Sequence, residues 1–574
     1  MTRTIVLVMA ALIFAEGAWS GLGGSATGTG VSGTPGVTSL PGSVAVDPQG
    51  RPVVAWAEVA GGNFEIYVRR WNGSAWEQLG GSATGGGVSN TPGWSWEPVV
   101  AFDAQGEPVV AWNESLFLGI SAEIMLRRWT GTAWQELGGS GSPGGVSASG
   151  ATASGRPALG TDAAGNPIVA WTQAVTGGVN QIYLKRWSGS AWTELGGSAT
   201  DGGLSSSPDT SASDMPVLAT DAAGNPVVAW RTGAFLAGEI YLKRWNGSAW
   251  IELGGSAAGG GVTSSGTLCT APSLALDAIG RPSLAWQRIV SGSWEICLRR
   301  WDGASWTQLG GSATGGGLSS TAQDSQSPSL AVSASGDPIV AWVESVTPQP
   351  EIWVRRWDGA AWSGVAGSGS GGGVSATATQ SLAPRIAFDA AGGLTVAWSE
   401  NVGGAPEVYV SQISLNRPTQ LAQFQSDGVT PIPSGGGAAG GTVVLGGRVV
   451  SLGATETASL DVEVRPTGVP FTGVPTAQSA FVGSGATASV AVGGLPAGGH
   501  HWRARARTSL GLLSAWQEMG SDPDFVVGSA SGGGGGGGGS DDKETRSCAS
   551  AAGSGATLAA LVLTIGSLAA IRRS

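Results

Sequence analysis

Carboxylates and basic residues recur at fixed spacing along this chain, and that spacing is the first chemical signal in it. Glu65, Glu123, Glu239, Glu295, Glu351 and Glu407 each open a short alternating segment, with Gln181 in the remaining copy. A basic pair follows four or five residues on: Arg69-Arg70, Arg127-Arg128, Lys185-Arg186, Lys243-Arg244, Arg299-Arg300 and Arg355-Arg356. Arginines that hold a substrate carboxylate, beside a Glu or Asp doing acid chemistry, would make a glycan-cleaving site. An active site, however, needs different residues converging on one centre, whereas here the same pair is printed on six copies. Charged pairs across neighbouring strands or on an outer face are therefore the expected role. The two histidines of the chain, His500 and His501, lie far downstream. That removes Ser-His-Asp, Cys-His and His-based metal chemistry from the repeats. The His pair follows a turn and is expected to face solvent. Asp47, Asp103, Asp162, Asp221, Asp277 and Asp389 each precede a tight turn, with Ser333 in the other copy, and are read as acceptors for turn N–H groups. One carboxylate per turn is a poor calcium cage. No catalytic residue, metal ligand or cofactor is assigned.

The elements that carry these residues form a repeat. Trp56, Trp112, Trp171, Trp230, Trp286, Trp342 and Trp398 close segments of the VVAW type, 56–59 residues apart. Within a copy, "PVLATD" from Pro216, "PVVAW" from Pro226, "EIYLKRW" from Glu239 and "AWIELGG" from Ala249 read as four strands joined by tight turns. Repeated four-stranded units predict an all-β fold, a seven-bladed β-propeller over residues 18–416. The seventh copy stops after "EVYVSQI", before its fourth strand. The segment "AWSGLGGSATGTGVS" from Ala18 is the tail of a repeat with no head. It is expected to supply the missing strand and close the ring, removing an open sheet edge.

The turn motif with Asp faintly resembles the Asp-box of BNR-type propellers, without that motif's Ser and Thr, and the repeats as a whole resemble bacterial BNR/Kelch-like propellers. The run "LPAGGHHWRARARTSLGLLSAW" (Leu495 to Trp516) resembles a fibronectin type III module, which implies a β-sandwich spacer over residues 420–527. A Gly-rich linker (528–547) leads to Cys548, an apolar run and "RRS". This end resembles GlyGly-CTERM or MYXO-CTERM sorting tails and implies a transmembrane helix and envelope processing over 548–574. Residues 1–17 read as a signal peptide. Export to the cell envelope or outer surface follows, with the membrane met through the tail.

A net charge of −11 excludes a nucleic-acid partner. The expected working face is the one carrying the variable loops, where Trp94, Trp96, Phe117, Phe235 and Trp294 are the candidate ligand-binding residues. The expected function is non-catalytic binding or adhesion at the cell surface, to a glycan or a protein. Its alternatives are a sialidase-like glycan hydrolase and a purely structural envelope protein. Cys269 and Cys297 fall in one copy, and a bridge between them would have to cross the second strand.

Overall fold

The computed structural model describes residues 19–528 apart from 116–121, 151, 176–177, 207–210, 235–236, 390–391, 414, 452–455, 510–512 and 521. The described residues belong to one compact unit that runs to Ser529. The expected signal peptide, sorting tail and C-terminal helix lie outside them. Among the described residues no helix is long and apolar enough to cross a membrane.

The repeats fold into seven four-stranded antiparallel sheets in a propeller-like ring. The innermost strands are Ser39–Val46, Trp94–Phe102, Ser154–Thr161, Ser213–Thr220, Cys269–Leu276, Ser325–Val332 and Ser381–Phe388. Each touches the next, and the last returns to the first. These sheets are called blades one to seven in that order. The fourth strand of blade seven is Ser20–Gly21, which pairs with the strand Ala405–Ile413 in the register Ser20↔Gln412 and Gly21↔Ser411. The orphan half-repeat thus fills the gap that the seventh copy leaves.

Polar groups of the repeat tail join one blade to the next. The fourth-strand tryptophans Trp19, Trp76, Trp134, Trp192, Trp250, Trp306 and Trp362 each donate Nε1–H to a backbone carbonyl of the preceding blade's tail, at 2.7–3.2 Å. The first member of each basic pair does likewise, from Arg69 to the Val31 carbonyl and from Arg355 to the Leu318 carbonyl. The third-strand carboxylates accept from tail hydroxyls, as Glu295 does from Ser319 at 2.6 Å. The repeated Glu and Arg are therefore structural, but they satisfy hydroxyls and carbonyls instead of each other. Between blades, Trp56, Trp112, Trp171, Trp286, Trp342 and Trp398 are almost wholly buried and supply much of the apolar packing.

At the opposite face, Asp47 Oδ1 accepts the N–H groups of Gln49 and Arg51, at 3.0 and 2.8 Å, as the turn chemistry predicts. Among the described residues no cluster of three or more His, Cys, Asp or Glu side chains comes together. After the ring, the chain forms a three-stranded sheet and a seven-stranded sheet. An ion pair between Arg356 of blade six and Glu456, 2.8 Å apart with both side chains buried, ties these sheets to the ring. His500 is buried and stacks on Phe525, with ring centroids 5.4 Å apart, which corrects its expected exposure. The strand Gly498–Thr508 runs straight through the His pair, so alternation sends one ring inward. Cys269 and Cys297 are both buried and both free. They sit on the first and third strands of blade five, with the second between them.

Two predictions follow from this closure. The first concerns the seam itself. Cysteines at positions 20 and 412 (S20C with Q412C) lie directly opposite each other and close a loop of 392 positions. They should oxidise spontaneously and stabilise the chain by up to about 6 kcal/mol in the chain-entropy model, read as a rise in Tm that reductant reverses. Thiols that stay free would show the strand to be unpaired. The second concerns pH. Burial pushes the carboxyls of Glu65, Glu295, Glu351 and Glu407 above their ordinary value, against the pull of the hydroxyl that donates to each. A raised folded-state value means that the folded chain holds the proton more tightly. The resulting stability is complete below the ordinary carboxylate range and is lost as pH rises through the raised value. Glu351→Gln, which copies the Gln181 of blade three, should flatten the profile of Tm against pH in that window. A slope equal to that of the parent would refute the assignment.

Candidate functional site

Every innermost strand carries a β-bulge just after its start, at equivalent positions in all seven blades. In six of them the bulged residue stands immediately before a proline and has a left-handed backbone: Glu97, Arg156, Met215, Ala271, Ser327 and Ala383, with φ between 50° and 56°. Non-glycine residues avoid this region, and a following proline disfavours it further. In blade one the equivalent residue is Pro41, and Gly42 stands where the other blades have the proline. The backbone device is repeated, but its side chains differ from blade to blade. Charge occurs at two adjacent positions, Glu97 and Arg156.

These two residues line a cavity of about 580 Å³ between blades two and three. It opens on the face where first strands begin and second strands end, the face on which the variable loops were expected to work. Its walls are Trp94, Trp96, Glu97 and residues 153–156 at the starts of the first strands, with Asn113, Ser115, Thr172 and Ala174 at the ends of the second strands and Ala122 and Asn180 at the starts of the third. Strand alternation explains the aromatic wall. Trp94 and Trp96 project to one side, while Ser95 between them turns inward to the buried carboxylate of Glu114 at 2.5 Å. The two indole centroids are 5.1 Å apart. Phe64 of blade one stacks behind Trp96 at 5.0 Å, fixing its plane. Trp94 keeps 38% of its surface exposed.

The polar groups of the cavity are in part unanswered. Glu97 Oε2 accepts the backbone N–H of Arg156 at 2.9 Å, which ties the two bulges together. The Arg156 guanidinium is exposed and has no partner among the described residues. Asn113 Oδ1, Ser154 Oγ and Thr172 Oγ1 are buried atoms without a hydrogen-bond partner, and all three residues line this cavity. For Ser154 the cause is visible. Its counterparts Ser39, Ser95, Ser325 and Ser381 donate to a second-strand glutamate. In blade three that residue is Gln173, whose oxygen takes the Trp171 N–H. Unanswered buried polar atoms around a cavity are what a ligand with hydroxyl groups would satisfy.

Of the expected ligand-binding residues, Trp94 and Trp96 come together in this cavity. Trp294 lies on the third strand of blade five, where its backbone N–H donates to Asp324 at 2.8 Å. Phe117 and Phe235 lie outside the described residues. Phe64, Glu97 and Arg156 were not anticipated from the sequence.

No family model matches the chain, and no curated protein does. Solved structures resemble it faintly. A Penicillium chrysogenum alpha-L-arabinanase complexed with arabinobiose is 15% identical, over 53% of this chain and 88% of that one, with a TM-score of 0.34. A PL25 ulvan lyase is 11% identical, over 69% and 94%, with a TM-score of 0.41. The β-propeller domain of the trilobed protease of Pyrococcus furiosus is 8% identical, over 66% and 97%, with a TM-score of 0.39. Most of the neighbours are polysaccharide-cleaving enzymes. The expectations of a non-catalytic surface binder and of no enzymatic activity are corrected against these neighbours, and the glycan-cleaving alternative is taken up as a proposal. The physical reason lies in the cavity. Catalysis was set aside because the repeated charges are symmetric, and they are indeed structural. Glu97 and Arg156 break that symmetry at one place.

The left-handed bulge can be tested directly. Arg156→Gly should be more stable than Arg156→Ala by about 1 kcal/mol in urea denaturation, the reverse of the usual order within a strand. Equal stability, or a more stable alanine, would show that the position is not left-handed.

Proposed function

We propose that the chain is a glycan-cleaving enzyme, that its site is the cavity between blades two and three, and that its substrate is a polysaccharide bearing a carboxylate or sulfate. One observation carries this reading. A free guanidinium, a carboxylate, two indoles and three unsatisfied buried polar atoms all face one cavity. Its volume falls in the range of small-molecule sites, roughly 300–1,000 Å³. The Trp94 and Trp96 faces suit the apolar face of a sugar ring. Arg156, held close to the Glu97 bulge by the backbone bond, offers a planar fork for an acidic substituent. Glu97 is the carboxylate among the lining residues, and proton transfer is assigned to it.

The single carboxylate favours a particular cleavage. Hydrolysis commonly uses two carboxyl groups across the scissile bond. One carboxylate beside one guanidinium suits elimination from a uronate. Arg156 neutralises the acid group, and Glu97 removes the proton on the adjacent carbon. The freed electron pair forms a carbon–carbon double bond, the bond to the glycosidic oxygen breaks, and that oxygen takes a proton from water. A substrate outside the cell fits the leader and tail expected from the sequence. What supports the fibronectin-like spacer is strand order. Thr419–Phe424, Val443–Arg448 and Thr487–Val492 form one sheet, and Thr457–Pro466, Gly498–Thr508 and Phe525–Val527 lie in the other.

The full chain should cleave acidic polysaccharides in preference to neutral ones, with both reducing ends and unsaturated, ultraviolet-absorbing ends measured. Glu97→Gln should lower kcat by about 100-fold or more. Arg156→Ala should raise KM on acidic chains alone. Full activity in Glu97→Gln would remove the proposed site. Reducing ends without unsaturated ends would replace elimination by hydrolysis.

A further inference from the structure

A second departure from the repeat lies inside blade five. In blades one, two, six and seven a buried glutamate on the second strand accepts hydrogen bonds from an indole and from a serine hydroxyl. The tryptophan two residues earlier donates Nε1–H, from Trp56 to Glu58 at 2.9 Å, Trp112 to Glu114 at 3.0 Å, Trp342 to Glu344 at 2.7 Å and Trp398 to Glu400 at 2.9 Å. The serine directly opposite on the first strand donates its hydroxyl to the same carboxylate. In blades three and four neutral acceptors serve, with Gln173 and Thr232 taking the N–H groups of Trp171 and Trp230, both at 2.9 Å. Six blades thus provide an acceptor for this tryptophan.

Blade five provides none. Arg288 stands in the glutamate's place and Cys269 in the serine's, and the two are paired in the same register, Cys269↔Arg288. The Arg288 terminal nitrogens turn away to the carbonyls of Ala313 and Gly315, at 3.2 and 3.1 Å. Its Nε–H is buried without an acceptor, and so is the Nε1–H of Trp286, a residue 1% exposed. Arg288 forms no ion pair among the described residues. Burial pushes the Cys269 and Cys297 thiols up to about 11 and about 12, so at neutral pH both carry their protons and neither opposes the guanidinium charge. A carboxylate has been exchanged for a cation, while the indole N–H that faced the carboxylate remains.

We infer that blade five binds a small inorganic anion, of the halide class, between Trp286 Nε1 and Arg288 Nε, where four other blades carry a glutamate carboxylate. The anion restores both the missing acceptor and the missing negative charge. Water would supply an acceptor, but it would bring no negative charge to the half-buried guanidinium, whose strand-register partner Glu295 makes no ion pair with it among the described residues. The site is remote from the cavity of blades two and three, and the proposed glycan chemistry neither requires it nor uses it.

Crystals grown with bromide as the halide should show an anomalous peak within hydrogen-bond reach of both nitrogens. Tm should fall by a few degrees when chloride is replaced by gluconate at equal ionic strength. The double variant C269S with R288E rebuilds the triad of blade one, and it should lose both the peak and the salt response while keeping its fold. An ordered water in place of bromide would overturn the inference. So would a Tm that is equal in both salts, or a chloride response that survives in the double variant. If that variant fails to fold, the bromide peak in the parent protein decides the question alone.

Discussion

The ring depends on one seam, the place where the start of the described chain is built into its seventh blade. Fourteen residues do more there than add a strand. Ser20–Gly21 covers the edge of Ala405–Ile413. Ser32 donates to Glu407 at 2.5 Å. The carbonyls of Leu22 and Val31 receive Trp76 and Arg69 of blade one. The segment therefore serves both blades it separates, as every other tail does. Without it a buried carboxylate, an indole N–H, a guanidinium and a whole strand edge would lose their partners together. Each unsatisfied buried group costs on the order of 1–3 kcal/mol, more when charged. Against the roughly 5–15 kcal/mol of a typical domain, such a loss is decisive. A linear stack of the same units would leave an unpaired edge at each end.

Symmetry of this kind separates scaffold from site. A group repeated from blade to blade is explained by the neighbour it joins. The third-strand glutamates and the basic pairs belong here, and so do the turn aspartates. Function has to be sought where the pattern fails, and among the positions followed here it fails in two ways. Between blades two and three, charged residues occupy a backbone position that elsewhere carries Pro, Met, Ala or Ser, and a serine loses its acceptor. In blade five an acid becomes a base. Neither change disturbs the bulges or registers around it, because those are set by backbone pairing and by the buried tryptophans.

The sequence carried most of the architecture. Period-2 alternation marked the strands, the tryptophan spacing marked the blades, and the match between the orphan tail and the truncated seventh copy marked the closure. Trp94 and Trp96 were legible because they depart from the repeat in a variable segment. Glu97 and Arg156 were not. Their significance rests on a left-handed bulge before proline, and propensity argues against that conformation. Phe64 was hidden for another reason: it reads as an ordinary strand residue until the neighbouring blade brings it against Trp96. The roles of the Glu and Arg repeats were half legible. Their regularity identified them as structural, but the tail hydroxyls and carbonyls that satisfy them come from far along the chain or from the next blade, beyond the reach of local pattern.

The strained bulge also bears on why the proposed site sits where it does. A left-handed residue before proline costs about 1–2 kcal/mol, and the ring accepts that cost in six blades regardless of side chain. The strain is therefore a property of the architecture and was not introduced for catalysis. What the bulge provides is a fixed side-chain direction at the mouth of each gap between blades, held by the strand ladder beyond it. Placing an acid on one bulge and a base on the next requires no new backbone. The hydrogen bond from Arg156 N–H to Glu97 then couples the two positions. A rigid repeated scaffold can in this way acquire an asymmetric pair of charges by side-chain replacement alone, while the seam and the buried tryptophans continue to hold the ring closed.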